Sequence, residues 1–232
     1  MSERTFDAFD DFADDYRNIH SQNIKLSGAD SLYFAEYKIL KLKKYEIDSR
    51  QHVLDVGCGD GATEFFIGQH FPNWYTTAID ISEKSLQQAR QRSLTSARFI
   101  WYDGKKIPFE DNSFEIVFVA AVLHHIDFSL HIAFMKEIYR VLKKNGRIHI
   151  FEHNPLNPVT RYLVKMCEFD KDARLLSYYY AQRLLNLSGF KLVKKEFILF
   201  FPRRGILSFL LKIEDKLRWL PLGAQYYFRA IK

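Results

Sequence analysis

Two rhythms of apolar and polar positions alternate along this chain. Short, largely apolar runs at His52–Val56, Trp74–Ile79, Ala97–Tyr102, Phe114–Val119 and Arg147–Phe151 read as strands buried on both faces. Between them, apolar residues return every three or four positions, which predicts helices over Ala62–Phe71, Glu83–Arg92 and His131–Leu142. The link between the third and fourth strands reads as a loop. Ahead of the first strand, Leu32, Phe34, Tyr37, Leu40 and Leu42 give Ser31–Lys44 helical spacing. Such alternation implies an α/β fold with a parallel sheet, right-handed crossovers and helices on both faces.

Beyond Phe151 the rhythm changes. A helix is expected over Tyr179–Leu187, a turn at Ser188-Gly189, a β-rich run over Phe190–Phe201, an amphipathic helix over Ile206–Leu217 and a last strand at Gln225–Ile231. The two terminal strands are expected to pair antiparallel at the sheet edge, giving seven strands in all. Near the other end, Phe6, Phe9, Phe12 and Tyr16 stand at helical spacing among aspartates, and Tyr16 and His20 are candidates to reach a site from there.

The 232 residues suit one well-packed domain spanning 1–232, with 1–45 as a helical cap or lid. At 47% hydrophobic the chain is no disordered segment, yet it has no apolar run of membrane-spanning length and no signal-peptide core at its start. These features point to a cytoplasmic protein. Cys58 and Cys167 supply neither a metal spacing nor a disulfide framework. The net charge of +6 is unevenly spread: residues 1–30 hold three Lys/Arg and seven acids, and 190–232 hold ten Lys/Arg and three acids. No dense basic run with interleaved aromatics accompanies that excess, so nucleic acid is not the expected partner.

Candidate chemistry starts where the first strand ends. The run Val53-Leu54-Asp55-Val56-Gly57-Cys58-Gly59-Asp60-Gly61 carries an acidic strand into a glycine turn, followed by a helix whose N-terminus would face a ligand. A dinucleotide turn favours G-x-G-x-x-G, whereas the spacing here is Gly57-x-Gly59-x-Gly61. Asp55 also suits a ligand with an ammonium group better than a pyrophosphate. These residues resemble the first motif of the class I S-adenosylmethionine (SAM)-dependent methyltransferases, whose fold is a Rossmann-like doubly wound sheet closed by an antiparallel terminal hairpin. The resemblance covers the chain from about Leu40 to its end. It implies that Asp55 holds the methionine end of SAM while Gly57, Cys58 and Gly59 pass beneath it.

Asp80, at the end of the second strand, is then expected to accept hydrogen bonds from the ribose hydroxyls. The alternative of an N-cap for the next helix is met at least as well by Ser82. Asp103, followed by Gly104, matches the position that reads the adenine amino group, although an Asp-Gly pair is also an ordinary turn. Ile81 and Tyr102 are candidates to cover the adenine faces.

The segments Ile107-Pro108-Phe109-Glu110-Asp111-Asn112-Ser113-Phe114 and Val122-Leu123-His124-His125-Ile126 are similar to the branch, type 11, that includes the ubiquinone and menaquinone C-methyltransferases and many natural-product methyltransferases. That likeness implies that Ala120 and Ala121 lie close to the methyl group, leaving room for a small-molecule or lipid-like acceptor. His124, His125 and His153 are the candidate bases, needed only if the acceptor must lose a proton. Metal ligation is not expected, because the sequence offers no third ligand at a convincing spacing. Glu152 is placed to steady the loop, and His153 and Asn154 to touch the acceptor. The tract around Cys167–Asp172 is expected to set substrate choice.

Residues 203–218 form the candidate contact with an anionic membrane face, against the alternative that the apolar side of this helix packs on the sheet. The resemblance therefore implies a methyltransferase with SAM as cofactor. The other reading is a SAM-binding protein that serves a partner or regulator without transferring methyl groups.

Overall fold

The computed structural model describes residues 31–167, 170, 173–202 and 208–232. The helix expected over 6–16, with Tyr16 and His20, lies outside the described residues. In chain order the elements are α1 (Ser31–Leu42), β1 (Gln51–Val56), α2 (Ala62–His70), β2 (Trp74–Asp80), α3 (Glu83–Gln91), β3 (Ala97–Trp101), β4 (Phe114–Ala120), α4 (His131–Val141), β5 (Leu142–His153), α5 (Pro158–Met166), α6 (Tyr178–Leu187), β6 (Lys191–Ile198) and β7 (Gln225–Ile231). One sheet contains all seven strands in the order β3-β2-β1-β4-β5-β7-β6. The first five are mutually parallel, and β7 runs against both of its neighbours.

The period-two alternation of strand residues divides the core into two layers. Val53, Ile116, Phe118 and Phe151 face α1 and α2, meeting Ile39, Leu42, Phe66 and Ile67. Their neighbours Leu54, Val56, Val117, Val119, Ile148 and Ile150 face the other way, against α4 and α6. Both faces are therefore covered, as apolar parallel strands require.

Two elements differ from the pattern expected of the sequence. Instead of an amphipathic helix over 206–217, Ser208–Lys216 forms a 3₁₀ helix that buries Glu214 and leaves Phe209 and Ile213 exposed. The polar residue is drawn inward because the Glu214 carboxylate accepts from the Tyr37 hydroxyl and the Leu199 N–H. The second difference is α5, a helix the apolar rhythm did not reveal. Asn157 caps it, taking the Thr160 N–H at 2.9 Å, and Pro158 opens it with φ already helical.

A candidate cofactor and acceptor edge

The carboxyl ends of β1, β2, β3, β4 and β5 finish at one edge, because Val56 pairs with Ile79 and Val119, Asp80 with Trp101, and Ala120 with Phe151. The glycine turn leaves β1 there with Gly57, Gly59 and Gly61 all at positive φ. The three glycines meet different constraints. A Cβ on Gly57 would stand 2.4 Å from Val122 Cγ2, and one on Gly61 would meet Ala89 and Phe99 at 3.0 Å. A Cβ on Gly59 would find nothing within 4 Å. Of the three, Gly59 borders open space, whereas the bare Gly57 makes room for Val122.

Asp80 is held by backbone donors, its two oxygens taking the Gly59 N–H at 2.8 Å and the Ser82 N–H at 2.9 Å. It thus ties the glycine turn to the end of β2, while Ser82 caps α3 by accepting from Ser85. Asp103 accepts from the N–H groups of Lys105 and Lys106, which hold its carboxyl below the usual range, and Gly104 sits at φ 69°. Ile81 packs at the rim of the larger core layer, and its carbonyl accepts from the Trp101 indole at 2.9 Å. Cys58 is buried. That burial, with the carboxylates of Glu64, Asp80 and Asp55 nearby, pushes its thiol well up and keeps it unreactive.

Asp55 is also buried, and beside it lies Glu64 from the first turn of α2. Among the described residues both Glu64 oxygens are enclosed without a donor, and burial together with the neighbouring Asp55 raises the Glu64 carboxyl well above the usual range. Burial pushes Asp55 up to about 7, with the bond to Glu64 opposing the shift and the charge on Asp80 adding to it. Lys38 of α1 supplies nearby positive charge. Burial pulls its own value down to about 8, while Asp55 and Glu152 act the other way. Two buried carboxylates on either side of the glycine turn fit a ligand with a cationic end. Such a pair needs a proton or a positive charge to be stable in this setting. Sequence reasoning missed Glu64 and Lys38, although Lys38 interrupts the apolar stripe of Ala35, Ile39 and Leu42.

The histidines gather at the far side of the same edge. Ala121 turns the chain out of β4 at φ 58°, and Leu123–His125 form a single 3₁₀ turn. Glu152 anchors that turn from the end of β5. Its Oε1 accepts the N–H groups of Val122 and Leu123 at 3.0 and 2.7 Å, and its Oε2 pairs with His124 Nδ1 at 2.6 Å. Against the effect of burial, the carboxylates of Glu152 and Asp170 push His124 up to about 10, which favours its charged form while both face it. Burial and that charge pull His125 down to about 3 and His153 to about 4, leaving both neutral at pH 7. The His153 ring lies 5.1 Å from that of His124.

Asp170 arrives from the loop after α5, its Oδ1 lying 3.5 Å from His124 Nε2 and 3.4 Å from His125 Nε2. It is the third ligating group that sequence spacing did not supply. Asn154, expected near the acceptor, is instead fully enclosed, its amide donating to the carbonyls of Pro221 and Gly223.

The chain is similar in sequence and fold to several known proteins. A family profile described as a methyltransferase domain matches residues 53–146. An uncharacterised protein of Methanocaldococcus jannaschii is 30% identical over 174 residues, 75% of this chain and 69% of that protein. Demethylmenaquinone methyltransferase of Staphylococcus aureus is 27% identical over 155 residues. The matched part is 64% of this chain and 63% of that enzyme, less than two thirds of its length. Among solved structures, a SAM-dependent methyltransferase of Thermotoga maritima shares the fold with a TM-score of 0.70 at 20% identity, covering 98% of this chain and 99% of its own.

Proposed function

We propose that this chain, which belongs to the class I SAM-dependent methyltransferases, methylates a small-molecule or lipid-like acceptor bound between the ends of β4 and β5 and the Lys38 side of α1. The observation that carries the reading is the buried Asp55–Glu64 pair on either side of the glycine turn, in which Gly59 borders open space. In this reading the pair receives the cationic methionine end of SAM, and the Gly57-Cys58-Gly59 backbone passes beneath it. Asp80 takes the ribose, Asp103 with Gly104 the adenine edge, Ile81 one adenine face, and Ala120 borders the methyl group.

Bound SAM supplies a methyl group whose leaving group is a neutral thioether. What remains for the protein is alignment, exclusion of water and removal of a proton where the acceptor carries one. His125 and His153 are neutral at pH 7 and suit the proton-accepting role. His124, charged and locked to Glu152, is a positioning residue.

A lipid-like acceptor is favoured by an exposed apolar row on α5, namely Leu156 just before it and Val159, Tyr162 and Met166 along it. Trp219 and Leu222 lie on the turn that Asn157 ties to α5 through the Leu222 carbonyl at 2.6 Å. This surface extends the candidate membrane contact at 203–218, of which 203–207 lie outside the described residues. The chain follows directly from His153 into this surface, so an acceptor drawn from a membrane would enter beside the histidines. No helix among the described residues is long and apolar enough to cross a membrane.

The deciding experiment is calorimetric titration with SAM followed by radiolabelled methyl transfer into fractionated polar and lipid extracts. The expected outcome is SAM binding, weakened at least tenfold by Asp80→Asn, with label entering the lipid fraction. Binding without any S-adenosylhomocysteine from any fraction would favour the SAM-binding protein without transferase activity.

A further inference from the structure

Three side chains converge beside the proposed acceptor position, where a proton or a metal cation can offset the charge of the facing carboxylate. His124 Nε2 and His125 Nε2 lie 3.5 and 3.4 Å from the same oxygen, Asp170 Oδ1, and the three donor atoms all fall within 4.8 Å of one another. Good N–H···O bonds span about 2.7–3.2 Å, so both contacts are long for that purpose. They match the separation of two ligands on one tetrahedral ion, about 3.3 Å for metal–ligand bonds of about 2.0 Å. Glu152 holds the opposite nitrogen of His124 at 2.6 Å, the outer carboxylate contact that orients metal-bound imidazoles and makes them better donors. Asp170 is itself fastened to this turn, since the Arg174 N–H donates to the His124 carbonyl at 2.8 Å and the Ala173 N–H to the Asp170 carbonyl at 2.9 Å.

The geometry points to a divalent transition-metal site formed by His124, His125 and Asp170, with Glu152 as its outer support and the ion displacing the Nε2 proton of His124 to solvent. Two imidazoles and one carboxylate suit Zn²⁺ or a neighbouring first-row ion, and they disfavour Mg²⁺ and Ca²⁺, which take oxygen ligands. Three protein ligands leave a position for water or an acceptor oxygen, as in catalytic zinc centres. The site stands on its own geometry. Its use, holding an acceptor hydroxyl or thiol in its deprotonated form, rests on the transferase reading above and leaves His153 in the proton-accepting role.

The test uses the full chain, stripped of metal with chelator and titrated with Co²⁺, which reports tetrahedral nitrogen and oxygen ligation by visible absorption. Saturable binding with a visible band is expected, displaced by Zn²⁺. Asp170→Asn and His125→Gln should each weaken Co²⁺ binding at least tenfold, and Glu152→Gln about 10–100-fold. SAM affinity, measured on the same samples, should be unchanged in Asp170→Asn, which shows that the fold persists. Absence of a Co²⁺ band, or equal affinity in Asp170→Asn and the parent chain, would overturn the site. Co²⁺ binding with no SAM binding would leave the site standing and remove the transferase reading.

Discussion

Gly57 and Val122 sit so close that any β-carbon on the glycine would lie 2.4 Å from the valine methyl Cγ2. The contact joins the turn after β1 to the loop after β4, so the proposed cofactor and acceptor sides of the edge are packed against each other. Gly57→Ala should cost about 2–4 kcal/mol, from a left-handed backbone at φ 82° plus overpacking. Gly59→Ala, with free space around its β-carbon, should cost about 1 kcal/mol yet weaken SAM at least tenfold. Chemical denaturation and calorimetry on both variants check this pair. Val122→Ala should recover much of the Gly57→Ala loss and none of the Gly59→Ala loss.

The Asp55–Glu64 pair has a definite pH signature. Its carboxyl groups titrate higher in the folded chain than in the unfolded one, Asp55 at about 7. Their contribution to stability is therefore fully present below about pH 4, where both states are protonated, and is lost as pH rises through about 7. Glu64→Gln should flatten this decline, raising the melting temperature at pH 8 relative to the parent by a few degrees while weakening SAM. Equal slopes of melting temperature between pH 5 and 8 in the two proteins would count against this coupling of the two carboxyls.

The opposite sign is expected at Glu46, which lies on the connection between α1 and β1. It accepts from Arg147 at 2.9 Å, Arg229 at 2.9 Å and His149 at 3.2 Å. Burial works against ionisation, but the bonds from His149 and Arg147 prevail and bring its carboxyl down to about 2. The resulting stability is present above the unfolded value of about 4.5 and is lost as pH falls through about 2. Glu46→Gln should destabilise the protein by about 2–3 kcal/mol at pH 7, because it removes the charge that two partly buried arginines face. Acid titration of the variant should show a shallower loss between pH 5 and 2.

The apolar surface beside α5 makes a separate prediction about lipid. Replacing Tyr162, Met166 and Trp219 together by serine removes three side chains that are each more than half exposed, so the fold should hold within about 1 kcal/mol. Binding to anionic vesicles, followed by sedimentation, should fall severalfold. Retained vesicle binding would remove the membrane route to the acceptor.

Much of this molecule is legible along the chain because the strands are buried on both faces and the helices on one. The strand Gln225–Ile231 falls where apolar density predicts it, and the acids at 55, 80 and 103 mark strand ends without any knowledge of tertiary structure. The stretch 206–217 misleads because its apolar spacing is real, yet Tyr37 and the Leu199 N–H give Glu214 a better reason to turn inward. Helix α5 was signalled after all by Asn157-Pro158, a cap followed by a residue fixed in helical φ, which apolar rhythm does not register. Asp170 carries no local mark at all. It joins His124 and His125 only because the chain after α5 returns to the His124 carbonyl, and spacing rules cannot see contacts that the fold creates.

The placing of β7 between β5 and β6 bears on the order in which the sheet is completed. β6 precedes β7 along the chain, yet among the described strands its one partner is β7, which also pairs with β5 on its other side. During synthesis β6 therefore has no partner when it emerges, and the edge of β5 that carries Glu152 and His153 stays open until β7 arrives. Closing that gap requires pairing across a long stretch of chain, a slow step that exposes two apolar strand edges. The nascent chain is most vulnerable to aggregation in that interval, and the histidine cluster is the last part of the edge to receive its backing.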